Sequence, residues 1–93
     1  MSRVYIDGSS YQVIPDPGGR EMKGGLMIHN LAFTGPRGRE FVQRVRDNEL
    51  LGDDMFHTLE TYDGLNEEIM FIGPYIFDEG CVRCKLIFRS PYQ

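Results

Sequence analysis

Cys81-Val82-Arg83-Cys84 has the spacing of a redox dithiol or of half a zinc site. Residues three apart on a strand point to opposite faces, and the alternation around these cysteines places them in a strand, so the two sulfurs converge only if the segment turns instead. The histidines, His29 and His57, lie in other strand-like segments and lack the paired spacing that would complete a zinc site. Two structural, reduced thiols are the expectation, with no metal and no cofactor. His57 with Glu60, Asp53 and Asp54 nearby supplies the residue types of a metal site or an acid–base pair, yet His57 and Glu60 face opposite ways on a strand. His29, between Ile28 and Asn30, reads as a hydrogen-bonded, half-buried side chain.

Gly18-Gly19 and Gly35-Pro36-Arg37-Gly38-Arg39 resemble anion-cradling loops, because glycines expose backbone N–H groups and a helix start attracts negative charge. Neither carries a standard dinucleotide or P-loop fingerprint, and no Gly-x-Ser-x-Gly nucleophile elbow occurs. No catalytic residue is assigned, and the chain is read as a non-enzyme.

Charge is distributed unevenly along the chain. Residues 1–46 hold seven Lys or Arg against four acids, whereas residues 47–80 hold ten acids and no Lys or Arg, and Arg83, Lys85 and Arg89 follow. One consequence of folding is a mixed, solvated surface. The other is a polar molecule, with Arg37, Arg39, Arg44 and Arg46 at one pole and Asp53, Asp54, Asp63, Glu67 and Glu68 at the other, complementary head to tail between copies. These nine residues are the sequence-derived interaction set.

The elements that must position these groups fit one small domain over residues 1–93. Arg3–Ile6 and Tyr11–Ile14 are β-branched and aromatic, and Asp7-Gly8 between them suits a tight hairpin turn. Pro15-Asp16-Pro17-Gly18-Gly19 ends that pairing and predicts a loop running to Gly25. Leu26–Phe33 reads as a strand. Phe41, Val42 and Val45 recur at helical spacing, with Pro36 at the start and Gly52 at the stop. Segments 55–62 and 67–72 suit a second hairpin, and Gly73-Pro74 interrupts it. In Cys81–Phe88, Val82, Cys84, Leu86 and Phe88 share one face, and burying the four contributes roughly 6 to 10 kcal/mol, an upper estimate. The fold class predicted is α+β: a small antiparallel β-sheet or sandwich of about five to six strands with one short α-helix over roughly residues 36–51.

No apolar run exceeds Ile69–Ile72, so neither a bilayer span nor a signal-peptide core is present, and a cytoplasmic protein or a subunit of an assembled particle is expected. The function read from these features is a non-catalytic protein–protein interaction or assembly module. By analogy of size and type, that means a self-associating homo-oligomer such as a structural subunit of a viral or phage-type particle. Two alternatives are an acidic inhibitor occupying a nucleic-acid-binding partner, and a small-ligand-binding domain or enzyme. A pI near 5.0 and no recognisable module argue against direct nucleic-acid binding.

Overall fold

A computed structural model describes residues 2–14, 16, 18–52, 56–60, 64 and 66–89. Among them are seven strands and one helix: β1 Ser2–Ile6, β2 Ser9–Ile14, β3 Arg20–Lys23, β4 Leu26–Thr34, α1 Gly35–Leu50, β5 His57–Glu60, β6 Asn66–Phe77 and β7 Val82–Phe88. The fold is α+β and antiparallel with a single helix, but the sheet is neither open nor a sandwich. Its order is β2-β1-β5-β6-β7-β4-β3, and β2 also pairs with β4. That extra pairing closes six strands into a barrel and leaves β3 as a seventh strand outside the closure.

β4 makes this possible because it is long enough to serve two partners on one edge. Its first half pairs with β3 (Arg20↔His29 to Lys23↔Leu26) and its last three residues pair with β2 (Gln12↔Thr34 to Ile14↔Ala32). The opposite edge of β4 pairs with β7 over Ile28↔Ile87 to Phe33↔Val82. The loop predicted to reach Gly25 is therefore corrected: it ends at Arg20, where the chain rejoins the edge that β2 left. Four residues of sequence Arg-Glu-Met-Lys carry no apolar alternation, so only the partner strand reveals them as β.

Period-2 alternation fills the interior. Val4 and Ile6, Tyr11 and Val13, Leu31 and Phe33, Ile69 and Phe71, and Val82, Cys84 and Leu86 all belong to the barrel core. The face predicted for Val82, Cys84, Leu86 and Phe88 is the inward one. β6 continues through Gly73-Pro74, but its pairing jumps from Ile72↔Lys85 to Ile76↔Arg83, so three residues of β6 oppose one of β7. The expected interruption is thus a bulge within one strand.

Helix α1 lies against the barrel through Gly38, Phe41 and Val42, its buried residues. Phe41 meets the rings of Tyr11 (centroids 4.8 Å apart), Phe71 (5.5 Å) and Phe33 (5.9 Å), which makes it the apolar stopper of this end. Gly38 sits so near Phe33 that a Cβ there would lie 2.8 Å from the Phe33 Cβ. The helix starts one residue before the predicted Pro36, and the Gly52 N–H bonds the Glu49 carbonyl at its end.

Candidate interaction surface

The four arginines of α1 divide by helical geometry, because residues seven apart share a face and residues two apart do not. Arg39 and Arg46 face the turn that joins β6 to β7. The Arg39 guanidinium donates to the Asp78 carbonyl and, at 3.3 Å, to the Glu79 carbonyl, while Arg46 lies 4.8 Å from the Phe77 ring centroid. Both fasten the helix to the barrel. Arg37 and Arg44 stay outside. Arg37 is exposed and sits 5.4 Å from the Tyr11 ring centroid, at the rim of a notch of about 310 Å³ that Arg3, Gln12 and Thr34 also line. Arg44 pairs with Glu40 at 3.2 Å, and Arg46 also reaches Asp47 at 3.4 Å.

Of the acidic set, Glu68 pairs with Arg89 at 2.6 Å and Glu67 is half-buried on β6 opposite Leu59. Asp53, Asp54 and Asp63 lie outside the described residues. Further ion pairs join Arg83 to Asp78 (3.0 Å) and Lys85 to Glu21 (2.8 Å). Antiparallel pairing of β6 with β7 lays the basic tail beside the acidic middle segment, so at these positions the segregation seen along the chain becomes an interleaved surface.

Among the described residues, those singled out for chemistry lie in separate parts of the fold. Cys84 is buried in the barrel, and burial together with the Asp16 carboxylate pushes its thiol up to about 12, away from thiolate chemistry. Cys81 precedes β7 and is half-buried. Among the described residues, no group of three or more His, Cys, Asp or Glu is arranged to hold a metal ion. His29 stacks edge-on to Phe88 with centroids 5.0 Å apart, and burial, with Arg20 adding to it, lowers its pKa.

His57 has a partner that its sequence neighbourhood does not suggest. Its Nδ1 lies 2.6 Å from Oδ2 of Asp7, and its ring is flanked by Phe41 and Phe71. Asp7 also accepts the Thr58 N–H on Oδ1 at 2.9 Å, and its own N–H donates to the Thr58 carbonyl. The Asp-Gly turn of the first hairpin thus doubles as a clasp on β5. Desolvation would raise the Asp7 pKa, but the Thr58 and His57 hydrogen bonds outweigh it and hold the carboxyl below its usual value. The clasp matters because it lies beside the β1–β5 seam, where the described residues pair at Tyr5↔Glu60 and Ile6↔Leu59.

Exposed apolar side chains cluster on the β3–β4 hairpin. Gly24 and Gly25 take φ of +59° and +81°, as a two-residue type I′ turn requires. Met22 pairs with Met27 and Lys23 with Leu26. Met22 is 65 % exposed, and Leu26 and Met27 are exposed beside it. The base of the hairpin is held firmly: Asn30 Nδ2 donates to the Gly19 carbonyl (3.1 Å) and to Glu21 (2.9 Å), and the Lys85 ammonium bonds the same Glu21 oxygen. The Lys85 and Asn30 contacts keep the Glu21 carboxyl below its usual pKa. These residues line an outer groove of about 390 Å³ that reaches Asp16, Pro74, Ile76 and Arg83. A second exposed apolar group, Leu50 and Leu51, ends α1. The sequence placed none of these residues in the interaction set; the signal present was Met and Leu flanking a Gly-Gly turn.

No protein-family model, no curated protein and no solved structure matches this chain. No helix among the described residues is long and apolar enough to cross a membrane.

Proposed function

We propose that the protein is a non-catalytic interaction and assembly module whose contact element is the β3–β4 hairpin. The observation that carries this reading is the exposed Met22, Leu26 and Met27 on a hairpin that is anchored at its base and whose first strand, β3, lies outside the barrel closure. A barrel removes sheet edges by pairing them, and this one leaves a single short strand outside. Methionine side chains adapt to varied apolar partners, which suits a docking arm. A subunit of a larger particle is the setting that such a design fits, and the protein partner is a second copy or a neighbouring subunit.

An acidic nucleic-acid mimic finds less support, since Glu68 and Asp78 are each engaged by an arginine of the chain itself. An enzymatic reading also finds less support among the described residues, where His57 bonds Asp7 and His29 packs on Phe88.

Light scattering over a concentration series, repeated across ionic strengths, tests the assembly reading. The expected result is a mass that rises with concentration and falls back when Met22 and Met27 are replaced by lysine. A monomer at every concentration and ionic strength would remove the self-assembly reading. Alanine at His29 and at His57, in folded protein, is expected to leave association unchanged.

A further inference from the structure

The hairpin has a free edge whose hydrogen-bonding pattern can be worked out residue by residue. A two-residue I′ loop makes Lys23 and Leu26 a hydrogen-bonded pair, and such pairs alternate along an antiparallel ladder, so Glu21 with Ile28 is the next. The bond from the Asn30 N–H to the Gly19 carbonyl, at 2.8 Å, shows the same alternation at the base. The backbone N–H and C=O groups of Arg20 and Met22 therefore point away from β4, along the side of β3 where the sheet ends.

We propose that this edge pairs with β3 of a second copy of the chain, antiparallel, with Met22 on the twofold axis. Self-complementarity of the four residues selects that register. With Met22 opposite Met22 of the second copy, each Met22 exchanges two backbone hydrogen bonds, and the Gly24 N–H of each chain donates to the Arg20 carbonyl of the other. Glu21 then stands opposite Lys23 of the second copy, twice over by symmetry, an opposite-charge pair directly across the ladder. Moving the axis one residue along, to Glu21, would instead set the two Glu21 carboxylates opposite each other, which repel. The Met22–Met27 cross-strand pair of one copy continues into that of the other, so four methionines form one stripe on one face of a β4-β3-β3-β4 ribbon. That stripe covers the side chain which is 65 % exposed in the single chain.

The contact uses four residues a side and falls short of the roughly 1,000 Å² of a stable pair, so it is weak between isolated copies and strengthened where other contacts hold the copies together. The proposal rests on the assembly reading above and specifies the strand and register through which it works.

The deciding experiment is a crosslink. In a Cys81→Ser background, Met22→Cys places two thiols on the axis, with Cα atoms about 5.5 Å apart in a hydrogen-bonded antiparallel pair, inside the roughly 4.4–6.8 Å that a disulfide spans. Mild oxidation is expected to give a covalent dimer, while Gln43→Cys on the exposed face of α1 gives none. Met22→Pro removes the outward N–H without touching a β3–β4 bond, and Lys23→Glu sets carboxylates opposite each other. Both are expected to abolish the concentration-dependent rise in mass seen by light scattering, with thermal melts confirming folded protein. If the parent associates but neither variant changes it and Met22→Cys stays monomeric, the edge is overturned and the assembly reading survives. If the parent never associates and no crosslink forms, self-pairing is overturned and the open edge is left to a strand from a different protein.

Discussion

Removing the Asp7 carboxylate tests whether the turn of the first hairpin clasps the barrel at the β1–β5 seam. Asp7→Ala deletes the acceptor for the Thr58 N–H and the partner of His57 Nδ1. Two hydrogen bonds to a charged group are worth about 1.5 kcal/mol each at the low end of the usual range. The Asp7 side chain is 49 % exposed, so water replaces part of what is lost, and halving the sum leaves roughly 1.5 kcal/mol. Asp7 also holds φ at +54°, a conformation that Asp and Asn tolerate and Ala resists by about 1 kcal/mol more. The expected destabilisation is about 2.5 kcal/mol, or roughly 10–20 °C in Tm for a domain of this size. Asp7→Asn keeps the acceptor for Thr58 and the tolerance of positive φ, so its cost is expected to stay near 1 kcal/mol. Urea and thermal unfolding followed by circular dichroism at neutral pH measure both. Because the folded-state pKa of Asp7 lies below its usual 3.8, the carboxylate's contribution is fully present above that value and is lost as pH falls through the folded pKa. The gap between parent and Asp7→Ala should narrow correspondingly in acid. An Asp7→Ala protein within about 0.5 kcal/mol of the parent, the range of ordinary surface changes, would refute the seam argument.

Three other outcomes follow from single contacts. Gly38→Ala adds a methyl 2.8 Å from the Phe33 Cβ, and the overpacking, about 1–3 kcal/mol, is expected to exceed the gain in helix propensity, giving a lower Tm. A raised Tm would mean that the helix seats more loosely on the barrel. With a thiol reagent near pH 8, Cys81 is expected to react in the folded protein, while Cys84, at about 12 and enclosed in the core, reacts only on unfolding. Equal rates for the two would contradict the packing. Asn30→Ala cuts both side-chain ties from β4 to Gly19 and Glu21, and faster amide exchange at Glu21 and Lys23, with the rest of the barrel unchanged, is the signature to look for.

How much of this is legible beforehand depends on whether the signal is local. The first hairpin is, because Asp7-Gly8 dictates its own turn and alternating Val4, Ile6, Tyr11 and Val13 supply the buried face. So is β7, whose Val82, Cys84, Leu86 and Phe88 alternate cleanly, and α1, where Phe41, Val42 and Val45 give the helical period. Closure is not local: among the described residues it runs through two pairings at the β1–β5 seam and three at β2–β4, between segments far apart in the chain. Strand β3 is invisible for a related reason, since Arg20, Glu21, Met22 and Lys23 become a strand only by lying on β4. Charge along the chain does not by itself give a surface map, because position along a chain is not position on a surface. A hairpin return carries Arg89 to Glu68 and Arg83 to Asp78, so a segment rich in one sign is neutralised by the strand that comes back beside it. His57 and Asp7 sit fifty residues apart, and nothing in either neighbourhood announces the other.

That β2 and β3 share one edge of β4 makes the segment between Ile14 and Arg20 a detour from what is otherwise a single line of strand. The register on both sides of it is set independently by β4, with Ile14 opposite Ala32 and Arg20 opposite His29. The two stretches of wall therefore keep their places through β4, which acts as the ruler against which both are aligned, rather than through the chain that joins them.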